Sequence, residues 1–356
     1  MKNKIIDLSK KLIMIPSTKD NQDALNATLE LAKNELSGFK YKAFEKEGNR
    51  SIIFYNTAEI PNRFKIILNA HLDIVPALKE QYLPFEKDGR LYGRGAIDMK
   101  AAGAVEILLF KELANTIKYP LGLQLVTDEE LDGCRGVKYQ AEKGILADFV
   151  IAGEQTDFGI NNEAKGVLWV KLTTKGRTAH GAHLWEGKNA IWKMVKALNN
   201  LRKIYPTPEK EVWKTTVNLS RIETSNKTTN KVPDDCATYL DVRFVPEEKE
   251  IIINKVKEIF SKLADVEIVE FGSPQFTDEK NKYIELLKKI IKEKKGTKAK
   301  MSATHGTSDI RHYNDIGCDG ITFGPIGFGL HTDNEWVNIK SLYEFYDILK
   351  DFLKLA

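Results

Sequence analysis

Three short apolar runs in this chain stop on side chains that bind metals or move protons. Residues 64–70 are followed by His71, Leu72 and Asp73, residues 121–126 by Thr127, Asp128, Glu129 and Glu130, and residues 148–152 by Gly153 and Glu154. Asp98 closes a glycine-rich stretch, Tyr92-Gly93-Arg94-Gly95-Ala96-Ile97-Asp98, and His331 lies in Phe328-Gly329-Leu330-His331, after an apolar run at 320–323. Strand side chains repeat every second residue, so His71 and Asp73 share a face, and a carboxylate beside an imidazole is how a metal-binding histidine is commonly oriented. One such pair is also what an ordinary hydrogen-bonded strand end looks like. Its repetition at several strand ends points to chemistry, because open α/β sheets bind ligands in the crevice beyond the carboxyl ends of their strands. So many carboxylates cannot share a buried crevice without cations, given their repulsion and desolvation. Mixed imidazole and carboxylate donors suit zinc, with cobalt or manganese as substitutes, and two divalent ions would balance the set.

The elements that must position these groups can be read from periodicity. The Ile- and Leu-rich runs are predicted strands buried on both faces, as in a parallel sheet. A helix over 4–15 puts Ile5, Leu8, Leu12 and Ile15 on one face and stops at Pro16. A second helix, capped by Asp20, carries Leu25, Leu29, Ala32 and Leu36 to Gly38. Strands follow at 41–44 and 51–55, and a helix opens on Ala101-Ala102-Gly103-Ala104. This alternation predicts a doubly wound α/β layer. From Gly166 the texture changes to half-exposed strands at 167–173, 217–222 and 237–245. Helices over 189–202, with Ile191, Met194, Val195 and Leu198 inward, and over 249–263 complete a small α+β domain. The α/β pattern resumes after Pro274 with a helix over 280–294, a strand at 320–323 and a closing helix from Ser341. The expected organisation is a catalytic domain of residues 1–165 and 275–356, with residues 166–274 inserted into it.

Composition excludes several classes. The chain has 356 residues, 42% hydrophobic and 29% charged, the profile of an ordinary soluble globular protein of one large domain or two. Its net charge of +4, from 54 basic and 50 acidic residues, is too slight to imply nucleic acid. The lysine-rich segment at 288–300 continues a helical apolar stripe of Ile284, Leu287, Ile290 and Ile291, with Glu285 and Glu293 interspersed, so it reads as a solvated helix face. Three widely spaced cysteines, Cys134, Cys236 and Cys318, show no disulfide framework and suit a reducing compartment. The N-terminal apolar positions are broken by Asp7, Ser9, Lys10 and Lys11, and no uninterrupted apolar run is long enough to span a bilayer. A cytoplasmic protein with no membrane partner is expected.

Taken together, these motifs resemble the dinuclear-zinc amidohydrolases and peptidases that include aminoacylase, acetylornithine deacetylase, succinyl-diaminopimelate desuccinylase and related dipeptidases. The matching segments run nearly end to end: His71-Leu72-Asp73-Ile74-Val75-Pro76, Tyr92 to Lys100, Thr127-Asp128-Glu129-Glu130, Gly153-Glu154 and Gly329-Leu330-His331-Thr332. The resemblance implies one metal on His71, Asp98 and Glu154 and a second on Asp98, Glu130 and His331. It makes Asp73 the residue that orients His71, and Glu129 the general base. It also implies that the inserted domain is a lid and dimerisation domain. There Thr178-Ala179-His180-Gly181-Ala182-His183 matches a segment whose first histidine, His180, reaches the partner's active site and steadies the oxyanion. Asn230 and Arg243 match residues that hold a substrate carboxylate, and Thr307 and Ser308 lie in a matching substrate loop. The chain departs from the family pattern at Leu72, Leu184 and His305. None of these is a metal ligand, but His305 bears on substrate choice.

The function this implies is hydrolysis of an amide bond beside a free carboxylate, through a hydroxide held by two metals, by a homodimer joined through its inserted domains. An N-acyl amino acid is the expected substrate, with a dipeptide or a C-terminal peptide bond as the alternative. A non-catalytic metal-binding scaffold would not need Glu129 beside Glu130.

Overall fold

The computed structural model describes all 356 residues, which divide into two compact units. The larger comprises Met1–Glu163, Phe276–Ala303 and Ser308–Ala356, and the smaller Ala164–Gln275 and Thr304–Thr307. The sequence reading assigned 1–165 and all of 275–356 to the larger part. Residues 304–307, together with 164–165 and Gln275, instead group with the smaller one; there His305 Nε2 lies 3.0 Å from Glu211 Oε1 and its ring meets Trp213 edge-on at 5.7 Å.

The larger unit is built on a nine-stranded mixed sheet. Its order is Lys40–Lys46, Asn49–Tyr55, Leu121–Val126, Phe64–His71, Ala147–Ala152, Asp319–Thr322, Ile160–Ala164 and Gln275–Phe276, with Met301–Thr304 paired to Ile160–Ala164. Four central strands, Leu121–Val126 through Asp319–Thr322, are parallel, and their neighbours on either side are antiparallel. Alternation sends Ile66, Leu68, Leu123 and Ile151 into one core with the helices Lys2–Ile13, Lys100–Leu113 and Ile339–Leu355. Ile67, Val126 and Val150 enter a second core with Val137, Ile310 and Tyr313 on the opposite face. Both faces are therefore covered, as continuous apolar strands require. The register pairs His71 with Val126, so neighbouring strands end level and the turns after them emerge at one edge.

Local details differ from the sequence reading. The second helix spans Gln22–Glu35, and its cap is Asn21, whose Oδ1 accepts from Ala24 N at 3.2 Å, not Asp20. The passage before Asp98 holds a small antiparallel sheet of Phe85–Lys87, Arg90–Tyr92, Trp336–Asn338 and Gly327–Phe328, strands too short to show alternation. The buried Lys100 donates through Nζ to the carbonyls of Leu12 and Ile15, at 3.0 and 2.7 Å, in the last turn of the first helix and just past its end. Such a cation complements the helix dipole and the unpaired carbonyls there.

The smaller unit has a four-stranded antiparallel sheet in the order Thr216–Glu223, Asp235–Phe244, Gly166–Lys175 and Asp265–Gly272. Helices Ala190–Ile204 and Ile252–Phe260 cover one face, packing on Leu168, Val170, Leu240, Val242 and Phe244. The first of these helices turns Ala190, Met194, Ala197 and Leu201 inward. The expected Ile191 and Leu198 flank that stripe, because small alanines let the helix lie close to the sheet and push bulkier neighbours to the rim. The edge strand Asp265–Gly272 was not foreseen, since none of its residues is fully buried.

One residue in the larger core has no structural justification. Glu106, in the helix Lys100–Leu113, is fully buried with neither carboxylate oxygen hydrogen-bonded. Burial, reinforced by Glu154, pushes its acid well above the usual range and so favours the neutral form in the folded protein. Glu106→Met should therefore stabilise the protein by about 1–3 kcal/mol near pH 7 in a denaturant melt, the cost of a buried unpartnered polar group. For an acid raised on folding, the pH-dependent part of that cost is absent below the unfolded value of about 4.3 and grows as pH rises above it. The gain should accordingly shrink on going from pH 7 to pH 4; an equal gain at both would mean Glu106 is not held neutral.

Candidate metal centre

The crevice at the carboxyl ends of the parallel strands collects the imidazoles and carboxylates singled out in the sequence. His71 is the last residue of its strand, Asp98 precedes the helix Lys100–Leu113, and Glu129, Glu130 and Glu154 lie in the turns after Leu121–Val126 and Ala147–Ala152. His71 Nε2 lies 3.1 Å from Asp98 Oδ1 and 3.5 Å from Glu154 Oε1. His331 Nε2 lies 3.1 Å from Asp98 Oδ2 and 3.2 Å from Glu130 Oε2. Two donor triads result, His71–Asp98–Glu154 and Asp98–Glu130–His331, which share Asp98 through different oxygens. Tetrahedral ligands on zinc bonds of about 2.0–2.1 Å stand roughly 3.3 Å apart, and the donor spacings here match that edge. The side chain of His71 is 1% exposed and that of His331 54%, so the crevice is closed on the first triad and open to solvent on the second.

The charges also fit cations. Burial pushes Glu154 up to about 7, with Asp98, Glu130 and Asp73 adding to the shift. Burial, then the fields of Glu154, Asp309 and Asp98, raise Glu129 well above the ordinary range, against the pull of His71. Burial would lower His71, but Glu154, Asp73 and Asp98 outweigh it and hold the imidazole well above its usual value. Asp98 and Glu130 push His331 up to about 10. Acids pushed up by one another and imidazoles held up by the acids are what divalent cations would relieve, as expected of a ligand set.

The turns carrying these groups are tied together by backbone hydrogen bonds. Asp73 Oδ2 accepts from Glu130 N at 3.0 Å, while His71 Nδ1 lies 3.1 Å from the Asp73 carbonyl and 3.5 Å from its Oδ1. Asp128 Oδ2 accepts from Arg135 N and Gly136 N at 2.7 and 2.9 Å. Arg311 Nη2 donates to the Asp132 carbonyl at 2.7 Å, and His312 Nε2 lies 3.0 Å from the same oxygen. Gly133 has φ +64°, and a Cβ there would lie 2.1 Å from Asp309 Oδ1, so only glycine lets this loop close. His331 itself adopts φ +60°, a left-handed conformation uncommon outside glycine and often met at functional positions.

The remaining candidates fall elsewhere. In the smaller unit His180 bridges Lys231, and Gly181 N donates to the Asn230 carbonyl at 2.7 Å, so His180 and Asn230 are neighbours. Arg243 lies on Asp235–Phe244 with its Nε 2.9 Å from Asp241 Oδ1. Val245, expected to be the last residue of that strand, falls just beyond its end, where its N–H donates to Thr215 Oγ1 at 3.3 Å. Thr307 is half-buried in the smaller unit, and Ser308 Oγ accepts from Ile310 N at 3.3 Å in the larger. Sequence reasoning missed Glu335, whose carboxylate reaches the amides before Asp98; the two are 237 residues apart and no local pattern links them.

A doubly wound sheet with two triads sharing one carboxylate at its strand ends defines a hydrolase scaffold of the dinuclear-metal type. The model for peptidase family M20/M25/M40 matches residues 67–355, and the chain belongs to that family, whose members are hydrolases. A succinyl-diaminopimelate desuccinylase from Sulfurimonas denitrificans is 28% identical over 376 residues, covering 99% of this chain and all of its own length. Among solved structures, an aminopeptidase from Bacillus cereus superposes with a TM-score of 0.81 at 20% identity, covering 99% of this chain and 98% of that one. A Bacillus subtilis protein described as a dinuclear metal-binding peptidase of the M20 family superposes at 0.72 with 12% identity, covering 99% and 97%. At these identities the two structures speak for the fold.

Metal analysis of dialysed protein should find two divalent ions per chain. His71→Ala and Glu154→Ala should each lose one ion, His331→Ala and Glu130→Ala the other, and Asp98→Ala both. Full occupancy in all five variants would show that these are not the donors.

Proposed function

We propose that this chain is a deacylase that hydrolyses the amide bond of an N-acyl amino acid with two zinc ions, cobalt or manganese being substitutes. The observation that carries the reading is Asp98, which both triads share: one of its oxygens lies 3.1 Å from His71 Nε2 and the other 3.1 Å from His331 Nε2. One ion would sit on His71, Asp98 and Glu154, the other on Asp98, Glu130 and His331. Full-length similarity to a relative named for removal of a succinyl group supports an acyl amino acid as substrate. When bound, two such ions acidify a water between them and polarise the scissile carbonyl. Glu129 is the base: it takes the proton of the attacking water and returns it to the leaving amine. Asp73 keeps His71 and the Glu130 turn in place. Three free, widely spaced cysteines and the lack of any helix long and apolar enough to cross a membrane support a cytoplasmic assignment.

Residues of the smaller unit would complete the site, Arg243 gripping the substrate's free carboxylate through a bidentate pair, Asn230 and the loop at Thr307 and Ser308 assisting, and His180 donating to the oxyanion. Geometry within that unit bears on how they do so. The antiparallel ladder runs from Arg243 to Asp235 and onward through the His180–Lys231 bridge, a length of about 25 Å or more at roughly 3.3 Å per residue. That spacing exceeds one N-acyl amino acid, which supports a reading in which Arg243 and the His180–Asn230 pair meet the same substrate from different subunits. A homodimer through the smaller unit supplies that. The edge strand Thr216–Glu223 is unpaired on its outer side and exposes Leu219 and Ile222, an open edge of the kind that pairs with another chain. Arg243 would exchange its Asp241 partner for the substrate.

Glu129→Gln should keep its metal and its fold but lose roughly 10²–10⁴-fold in turnover, the usual effect of removing a general base. A mass-spectrometric panel of N-acyl amino acids and dipeptides measures this; turnover confined to dipeptides would replace the deacylase reading with a dipeptidase, and undiminished turnover in the variant would remove Glu129 from the mechanism. Mixing inactive Glu129→Gln with inactive His180→Ala subunits should restore partial activity, since one site of each heterodimer is intact. Heterodimers that stay inactive would mean that His180 works within its own subunit or not at all.

A further inference from the structure

Glu335 is 2% exposed and makes three hydrogen bonds around the metal centre without being a donor in either triad. Its Oε1 accepts from the backbone of Ile97 and Asp98, at 2.9 and 3.2 Å, and its Oε2 from Arg94 Nη1 at 2.7 Å. Arg94, itself buried, sends its Nη2 to the Thr332 carbonyl at 3.1 Å, where Gln81 Nε2 also donates at 3.0 Å. Thr332 follows His331, the residue held at φ +60°. One carboxylate and one guanidinium therefore connect the peptide leading into Asp98 with the carbonyl of Thr332, one residue past His331. Asp98 and His331 belong to the same triad and come from segments more than two hundred positions apart in the chain. The short ladder of Arg90–Tyr92 on Trp336–Asn338 joins the two segments but stops at Tyr92 and Trp336, short of Asp98 and His331; from there inward the link is made by Arg94 and Glu335. A buried pair is weak evidence of added stability, whereas a fixed distance between two donors is what a metal position requires.

We propose that Glu335 is a positioning residue that fixes the separation of Asp98 and His331, and with it the geometry of the second metal position, with Arg94 as its counter-ion and its link to the His331 loop. The proposal rests on the two-metal reading of the site. Glu335 acts through the backbone and touches neither metal nor substrate. Its side chain is needed at full length, because one carboxylate must reach two amides on one side and a guanidinium on the other.

The test is a cobalt titration of apo protein, followed by visible absorption, on wild type and on Glu335→Asp, which keeps the charge but shortens the reach. Wild type should take up two equivalents. In Glu335→Asp one equivalent should bind roughly 10–100-fold more weakly, the usual effect of losing an outer-shell partner, and its absorption band should change while the other equivalent is less affected. Arg94→Lys, which keeps Glu335 and a positive charge but loses the fork to Thr332, should weaken the same equivalent and serves if Glu335→Asp does not fold. A lowered melting temperature in either variant, with both equivalents and both bands as in wild type, would make the pair purely structural and overturn the proposal. Failure of wild-type protein to bind two equivalents would instead overturn the two-metal reading on which it stands.

Discussion

The structure depends on crowding negative charge at one sheet edge. Asp73, Asp98, Glu129, Glu130 and Glu154 converge with only two imidazoles among them, and burial, then the neighbouring acids, push Glu129 and Glu154 upward against the pull of His71. Mutual repulsion at these spacings is worth several kcal/mol at a protein-like dielectric, so the edge cannot be left to find its own geometry. The fold answers with backbone amides. Asp73 takes the amide of Glu130, Asp128 those of Arg135 and Gly136, and Glu335 those of Ile97 and Asp98. Each of these acids neutralises part of its own charge against a dipole fixed by the main chain, and each thereby fastens a turn that carries a metal-ligand candidate.

The parallel strands make this possible because they deliver their turns at one level. Phe64–His71, Leu121–Val126 and Ala147–Ala152 are paired in register and buried on both faces, so none can slide without exposing a row of apolar side chains. The rigidity of the sheet is thus handed on to side chains just beyond it. Loops that leave the sheet are held separately, the His331 turn by Arg94 and the Glu130 turn by Arg311 and His312.

Much of this was legible in the sequence, and the reasons for the exceptions are physical. Buried strands such as Leu121–Val126 announce themselves by composition, and the acids that follow them stand out because charge seldom borders such a run. The small sheet joining Arg90–Tyr92 to Trp336–Asn338 was invisible because two- and three-residue strands carry no period. The helix Ala190–Ile204 was placed correctly but turned slightly wrongly, since its closest approach is made by alanines, which a reading weighted toward large side chains overlooks. Glu335 escaped because its partners are backbone amides, which leave no residue type to read. Thr304–Thr307 went to the other unit because a histidine found its partners, Glu211 and Trp213, there.

The order of strands in the larger sheet has a consequence for how the chain is made. Asp319–Thr322 lies between Ala147–Ala152 and Ile160–Ala164, yet a ribosome delivers it after the whole of the intervening unit. The smaller unit is nearly continuous in sequence and can form during synthesis, as domains tend to do. The larger must wait with an open slot between those two strands, a strand edge of the kind that recruits other chains, until Asp319–Thr322 emerges. His331 and Glu335 come just behind that strand, so the nascent protein closes its sheet and completes its donor set in one late step. A chain arrested before that step would already hold His71, Asp98 and Glu154 but lack the imidazole of the second triad.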